Sequence, residues 1–200
     1  MHEPAVVLWI LPFLAFAVAF LCGSAGVTGA FLLLPLQISL LGIAGPAASS
    51  TNLLYNLLCI PGGGMRFIRE RRMLWPLTFL LLGVCLLVGF ASGTYGLGGG
   101  AILAPLLITH FRLPVYVTAA STLAVTWAVS TAGIGLFTLL APAYPDLRVA
   151  PEWTVGFCLG IGGAAGVYAA ARLQKRMPER LIKGILCGVI ALVAWKYLAG

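Results

Sequence analysis

A glycine-rich stretch near the middle of the chain has a second, weaker copy upstream. The stretches 23–35 (GSAGVTGAFLLLP) and 93–105 (GTYGLGGGAILAP) share glycine at three places, because positions 23, 26 and 29 correspond to 93, 96 and 99. The same spacing of 70 positions, which also takes Pro35 to Pro105, relates 51–53 (TNL) to 121–123 (STL). We call it the repeat spacing. A spacing that is kept without a gap over this distance indicates an internal repeat.

The repeat lies in a chain that is too apolar for a water-soluble domain. Of its 200 residues, 61% are hydrophobic and 8% are charged, whereas about a quarter of the residues of soluble domains are charged. We therefore predict an all-α, polytopic membrane protein with one integral membrane domain. The net charge is +7, but the basic residues lie between apolar runs, which is typical of membrane topology rather than of nucleic-acid binding.

Apolar runs of a length suited to membrane segments recur along the whole chain. They are 5–22, 27–43, 47–64, 74–92, 97–110, 115–140, 153–171 and 182–199. The runs 27–43 and 97–110 are short and begin at the glycine stretches, so we expect these two helices to be broken or re-entrant. Irregular backbone inside a membrane is tolerated only where protein or a water-filled cavity satisfies its polar groups.

Basic residues predict the orientation of these segments. The loops around 66–72 and 172–183 are strongly basic and should be cytoplasmic, whereas the linker 141–152 falls on the opposite side. Segments 27–43 and 97–110 then run in opposite directions, so the two repeats would be inverted, as in many transporters. A duplicated structural bundle without a transport pathway is the alternative.

The two repeats are unequal in length. We assign 1–74 to the first repeat and 75–200 to the second, and the loops before Trp75 and Trp153 occupy equivalent places. Two segments follow the second tryptophan but only one follows the first, so the first repeat lacks its last helical region. We favour missing residues between about 82 and 88 over a naturally short chain. An uninterrupted helix through 82–88 would contradict this.

The second half of the chain resembles the sulfite exporter TauE/SafE family of membrane anion permeases. The resemblance lies in the motif 96–100 (GLGGG) followed by Pro105, in the turn 119–123 (AASTL), and in 177–181 (MPERL) after Trp153. It implies a multi-pass transporter of the cell inner membrane, and not an enzyme, with sulfite or a related sulfur-containing organic anion as substrate. Another small anion as substrate, or a non-transporting membrane subunit, is the alternative.

The glycine stretches suggest how such an anion would be held. Helix N-termini offer unsatisfied backbone N–H groups to an anion without burying a cation, and glycine permits the close approach and the unusual dihedral angles that this requires. We expect two N-termini to face each other at the repeat interface, with hydroxyl and amide groups nearby. The candidate substrate-binding residues are Ser24, Gly26, Thr28, Gly29, Thr51, Asn52, Thr94, Gly96, Gly98, Gly99, Gly100, Ser121 and Thr122; Tyr95 and Asn56 are weaker candidates.

The first repeat departs from the family motif, because Thr28 and Ala30 stand where the second repeat has Gly98 and Gly100. The cysteines show no metal-binding spacing, and the five acidic residues lie outside the apolar runs. No intramembrane carboxylate is therefore expected to relay protons or to catalyse a reaction. We predict no metal and no cofactor; the expected partners are a small anion and the lipid bilayer, and a homodimer is left open.

Overall fold

The computed structural model describes the backbone of residues 4–71, 73–94, 96, 98–145 and 147–174, with scattered positions beyond 176, and the side chains of these residues except 4–7, 86–94, 101 and 116. Every regular element in this part of the chain is helical, as predicted. In order, the elements are α1 Pro4–Gly23, α2 Ala30–Leu41, α3 Pro46–Arg69, α4 Trp75–Thr94, α5 Gly100–Thr109, α6 Val115–Leu140, a 3-10 helix Ala141–Ala143, and α7 Trp153–Gln174.

Helices α1 to α7 correspond to the first seven apolar runs. The eighth run, 182–199, lies largely outside the described residues. Helix α4 continues without interruption through 82–88, which contradicts the expectation that residues are missing at this junction.

Two of the helices are too short to cross a membrane on their own. Helices α2 and α5 contain 12 and 10 residues, which at a rise of about 1.5 Å per residue is far less than the roughly 30 Å of the hydrocarbon core. Each begins immediately after a glycine with positive φ, 80° at Gly29 and 86° at Gly99. Slightly earlier in each stretch, Gly26 and Gly96 also have positive φ. The two stretches therefore share a local conformation that strongly favours glycine.

Two helices have both the length and the hydropathy expected of membrane spans. Among the residues with described side chains, these are Val117–Ala143 and Trp153–Gln174, whereas Leu8–Gly23, Ala30–Leu41 and Trp75–Cys85 are shorter apolar helices. Large apolar side chains are exposed on the outer helices, such as Trp9 and Phe13 of α1. Exposed apolar surface of this kind is suited to contact with lipid.

Helix α7 packs closely against both α1 and α3. Gly160 of α7 lies against Leu58 of α3, while Gly162 and Gly166 lie against the backbone of Pro12 and Phe16 in α1. Small residues at such contacts let membrane helices approach closely. Residue numbers rise together along the α1–α7 contact, so these two helices run parallel.

Helices α3 and α6, which contain the repeated 51–53 and 121–123 motifs, pack against each other in opposite directions. Trp127 Nε1 donates a hydrogen bond to the Leu57 carbonyl at 3.3 Å, and Gly133 lies against Leu53. Residue numbers rise on α6 as they fall on α3, which makes the two helices antiparallel. Leu57 and Trp127 are themselves related by the repeat spacing.

Candidate functional site

The first glycine stretch packs against the start of α6. A Cβ atom placed on Gly26 would lie 2.6 Å from Thr122 Oγ1 and would also overlap the Ala119 backbone. The Thr122 hydroxyl lies 3.0 Å from the Gly26 carbonyl oxygen and 2.9 Å from that of Thr118. The hydroxyl therefore holds the turn at Gly26 against α6.

The second glycine stretch packs against the start of α3 in the equivalent way. A Cβ atom placed on Gly96 would lie 2.5 Å from the Ser49 carbonyl oxygen and 2.9 Å from Asn52 Cβ. By the repeat spacing, Ser49 and Asn52 are the counterparts of Ala119 and Thr122, as Gly26 is of Gly96. Each glycine turn thus contacts, in the other half of the molecule, the same two repeat positions.

Asn52 also links α3 to the start of α2. Its Nδ2 donates to the Ala30 carbonyl at 2.8 Å, and its Oδ1 accepts a hydrogen bond from Gln37 Nε2 at 2.7 Å. Both amide side chains are buried. This network fixes the first residue of α2 relative to the polar part of α3.

Three polar side chains surround Gly98, just before α5. A Cβ atom on Gly98 would lie 2.6 Å from Thr126 Cγ2, 2.9 Å from Ser130 Oγ and 3.2 Å from Asn56 Nδ2. The Ser130 and Asn56 side chains are fully buried. Within the described residues, Ser130 Oγ and Asn56 Oδ1 have no hydrogen-bond partner, although an unpartnered buried polar group costs about 1–3 kcal/mol.

The N-terminus of α5 lies beside these side chains. No side chain caps it at Gly99, and the first backbone N–H groups of a helix have no partner within the helix. Together with the hydroxyl of Ser130 and the amide of Asn56, the first turn of α5 forms a buried group of polar atoms. We call Asn56, Gly98, Gly99, Thr126 and Ser130 the α5 polar cluster.

The N-terminus of α2 has different surroundings. No side chain caps it at Gly29 either, but the nearest side chains to this glycine are Val18 and Cys22 of α1. The carbonyl oxygen of Thr28 accepts a hydrogen bond from the Tyr55 hydroxyl at 2.5 Å. The two glycine stretches therefore share positive φ angles at the equivalent pairs Gly26/Gly96 and Gly29/Gly99, but they do not share a polar environment.

Several predicted site residues have other contacts. The Ser24 hydroxyl bonds to the Leu21 carbonyl, and the Ser24 carbonyl accepts from Gln174 Nε2 at 2.7 Å. The Thr51 hydroxyl donates to the Ala47 carbonyl and accepts a hydrogen bond from the backbone N–H of Glu152. Ser121 is buried, and its Oγ has no partner among the described residues. The side chain of Thr94 and the whole of Tyr95 lie outside the described residues.

The structure thus brings Gly26 to Thr122 and Gly96 to Asn52, and it places Gly98 and Gly100 against Thr126. Thr126 and Ser130 were not among the residues selected from the sequence. Thr126 is the counterpart of Asn56, so the repeat spacing could have identified it.

A cavity of about 970 Å³ lies elsewhere, between α1, the end of α2, and the first turns of α3 and α7. Its lining is apolar except for Arg148 and Glu152 and includes no glycine of the two stretches. The α5 polar cluster is closed in this conformation.

Among the described residues, no group of three or more histidine, cysteine, aspartate or glutamate side chains could hold a metal ion.

A family model and two known proteins are similar to this chain. The model described as "Sulfite exporter TauE/SafE" matches residues 78–197. Two proteins named "Probable membrane transporter protein", from Xylella fastidiosa strains Temecula1 / ATCC 700964 and 9a5c, are each 35% identical over 119 residues. These matches cover 56% of this chain, and the chain spans 42% of the length of each relative. No solved structure matches.

Proposed function

Because the chain belongs to the sulfite exporter TauE/SafE family of membrane transporters, we propose that it is a multi-pass permease of the cell inner membrane. Its substrate in this proposal is sulfite or a related sulfur-containing organic anion. The α5 polar cluster is the proposed binding site. The observation behind this choice is that the fully buried hydroxyl of Ser130, which has no hydrogen-bond partner among the described residues, lies beside an uncapped helix N-terminus.

Two observations support inverted repeats as the framework of this permease. Gly26 contacts Ala119 and Thr122 while Gly96 contacts their counterparts in the first repeat, and such an exchange of contacts is what a two-fold axis produces. Helices α3 and α6 run antiparallel, which agrees with an axis in the membrane plane. Together with the basic loops on one side, this arrangement fits a transporter with its site at the repeat interface.

The α5 polar cluster has the chemistry needed to hold an oxyanion. The positive end of the α5 dipole and the N–H groups at its N-terminus attract negative charge. Ser130 has a hydroxyl hydrogen to donate, and Asn56 Nδ2 has a second hydrogen besides the one that it directs to the Gly96 carbonyl at 3.5 Å. Hydrogen bonds in such a buried place are stronger than in water. Thr122 and Asn52 have a different proposed role, which is to hold the two glycine turns in place.

The N-terminus of α2 is the weaker half of the proposed site. Its neighbours Val18 and Cys22 offer little to an anion, and Thr28 is engaged through its carbonyl. We therefore place the anion nearer to Gly98 than to Gly29. Because the cluster is closed in this structure, transport requires the first turn of α5 to separate from α3 or α6.

Flux of labelled sulfite into proteoliposomes containing the purified chain tests the proposal. Ser130→Ala should weaken apparent affinity about 10-fold or more, since a hydrogen bond to a charged group is worth about 1.5–3 kcal/mol. Thr131→Ala is the matched control, because this neighbouring hydroxyl is exposed and, within the described part of the chain, donates to the Trp127 carbonyl of its own helix. The control should transport as the unmodified chain does.

The other outcomes separate the alternatives. Equal flux in Ser130→Ala and Thr131→Ala would contradict the site. Flux of a different small anion without flux of sulfite would favour the alternative substrate. An unmodified chain that moves no anion would favour a non-transporting membrane subunit.

A further inference from the structure

The cavity beside α1 lies at the end of α3 that is remote from the basic loop 66–72. Its lining combines Leu8, Leu11 and Leu14 of α1 with the end of α2 and the first turns of α3 and α7. Helix α3 ends at Arg69 in the basic loop, so its first turn faces the outer side in the topology predicted from charge. In that topology the cavity lies in the outer half of the membrane.

The walls of this cavity are apolar and open sideways. The leucines of α1 continue the lining for about 9 Å along the helix, at a rise of about 1.5 Å per residue. Ile10 and Leu40 also line the cavity and are more than half exposed. In the loop 42–45, a Cβ atom on Gly42 or Gly45 would meet no atom within 4 Å. Among the described residues, this loop therefore leaves the entrance uncovered.

Two residues of opposite charge lie at the entrance. Arg148 and Glu152 line the cavity and belong to the linker before α7. Val149 and Pro151 of this linker are buried, and the backbone N–H of Glu152 donates to Thr51 Oγ1 at 2.9 Å. In the described part of the linker, the two charged side chains form no ion pair with each other. Each can therefore bind a different charged group of a ligand.

The start of α3 adds positive potential beside Arg148. No side chain caps this helix at Gly45, and Ala47, which is its first residue with an N–H group, lines the cavity. The N-terminus of a helix favours a phosphate group, and a guanidinium group binds phosphate through parallel hydrogen bonds. Basic residues are scarce on the outer side of membrane proteins, so orientation does not account for Arg148, whereas a bound phosphate does.

We propose that the cavity binds a zwitterionic phospholipid whose headgroup carries a primary ammonium beside its phosphate, as phosphatidylethanolamine does. Arg148 and the first turn of α3 bind the phosphate, and the carboxylate of Glu152 accepts hydrogen bonds from the ammonium. One acyl chain lies along Leu8, Leu11 and Leu14. This proposal does not depend on the identity of the transported anion.

The headgroup contacts determine which lipid is bound. Lipid tails are as apolar as leucine, so the walls accept an acyl chain from the bilayer without selecting among headgroups. An anionic phospholipid would leave the Glu152 carboxylate without a cationic partner and close to a second negative charge. A choline headgroup keeps the positive charge but has no N–H group, whereas a primary ammonium has three donors. We therefore expect the ethanolamine headgroup to be preferred over both.

Native mass spectrometry of the full chain tests this preference. The purified protein is titrated in detergent with phosphatidylethanolamine, phosphatidylcholine or phosphatidylglycerol of identical acyl chains, and the fraction that retains one lipid is measured. The ethanolamine lipid should bind with about 3-fold or more higher affinity than either of the others, a modest ratio because partly exposed ion pairs contribute little.

Charge variants test the headgroup contacts. Glu152→Gln should remove the preference for the ethanolamine lipid over the glycerol lipid, and it keeps the backbone N–H that bonds to Thr51. Arg148→Gln should weaken the binding of all three lipids about 3-fold or more. Arg172→Gln is the matched control, because Arg172 is exposed at the other end of α7 and does not line the cavity. It should bind the lipids as the unmodified chain does.

A second pair of variants tests the cavity without a change of charge. Ala44 is exposed and lines the entrance, so Ala44→Trp should exclude the lipid. Ala143→Trp, at an exposed position outside the lining, should not. Equal binding of the three lipids, or unchanged binding in Arg148→Gln or Ala44→Trp, would overturn the proposal. No lipid retained by the unmodified chain would also overturn it and would leave the cavity to another segment or another protein.

Discussion

At the scale of single residues, Gly98 combines an unusual backbone conformation with a crowded polar environment. Its φ is +65°, and the side chains of Thr126, Ser130 and Asn56 surround the place where a Cβ atom would be. Its counterpart in the first repeat is Thr28. The polar surroundings of the two glycine stretches differ accordingly.

Replacing Gly98 by alanine should lower the free energy of unfolding. The left-handed conformation costs an ordinary residue about 1–2 kcal/mol, and the extra methyl group would overlap Thr126 and Ser130, which costs about 1–3 kcal/mol in a packed core. Denaturant unfolding in detergent micelles measures the loss. Gly135→Ala is the control, because a Cβ atom there meets no atom within 4 Å. A similar loss of unfolding free energy in both variants would show that the contacts around Gly98 do not cause the loss.

Asn52 and Gln37 should behave as one unit in a double-mutant cycle. Asn52→Leu removes the acceptor of Gln37 Nε2 and leaves the Ala30 carbonyl without its donor. The double variant should therefore lose less unfolding free energy than the sum of the losses in the two single variants. We expect a coupling free energy of about 0.6–2 kcal/mol, the range measured for hydrogen bonds between membrane helices. Additive effects of Asn52→Leu and Gln37→Leu would argue that this bond does not stabilise the fold.

At the scale of helices, the sequence predicts most helix boundaries, but it does not predict which face of each helix contacts its neighbours. The run 115–140 coincides with α6 Val115–Leu140, and the runs 27–43 and 97–110 contain the short helices α2 and α5. That these two helices are broken or re-entrant in the membrane stays a prediction. Ser130 could not be selected in the same way. Its counterpart is Ile60, and in an apolar helix with little amphipathicity only the packing of α3, α5 and α6 determines which hydroxyl faces Gly98.

The glycines of α7 should be essential to its packing. A Cβ atom on Gly160 would lie 2.6 Å from Leu58 Cβ, so Gly160→Leu should destabilise the protein by about 1–3 kcal/mol or more through overpacking. Thermal unfolding in micelles, together with the yield of folded protein, checks this. Gly135→Leu on the open side of α6 should have little effect, and comparable damage from both changes would argue against the close α3–α7 contact.

At the scale of the whole molecule, the charge pattern and the repeat predict a topology that can be tested directly. Arg69 at the end of α3 and Arg148 in the linker before α7 are both exposed and are expected on opposite sides of the membrane. In intact cells, a membrane-impermeant thiol reagent should label Arg148→Cys but should label Arg69→Cys only after permeabilisation. A chain without its native cysteines provides the background, and labelling of both positions from outside would contradict the inverted arrangement.

The reciprocal contacts of the glycine turns have a mechanical consequence. The turn at Gly26 rests on α6 and the turn at Gly96 rests on α3, so a movement of either turn should displace the opposite half of the molecule. We expect the two halves to move together, so that an opening toward one side of the membrane is accompanied by closure toward the other side. Immobilising either turn should then stop exchange in both directions.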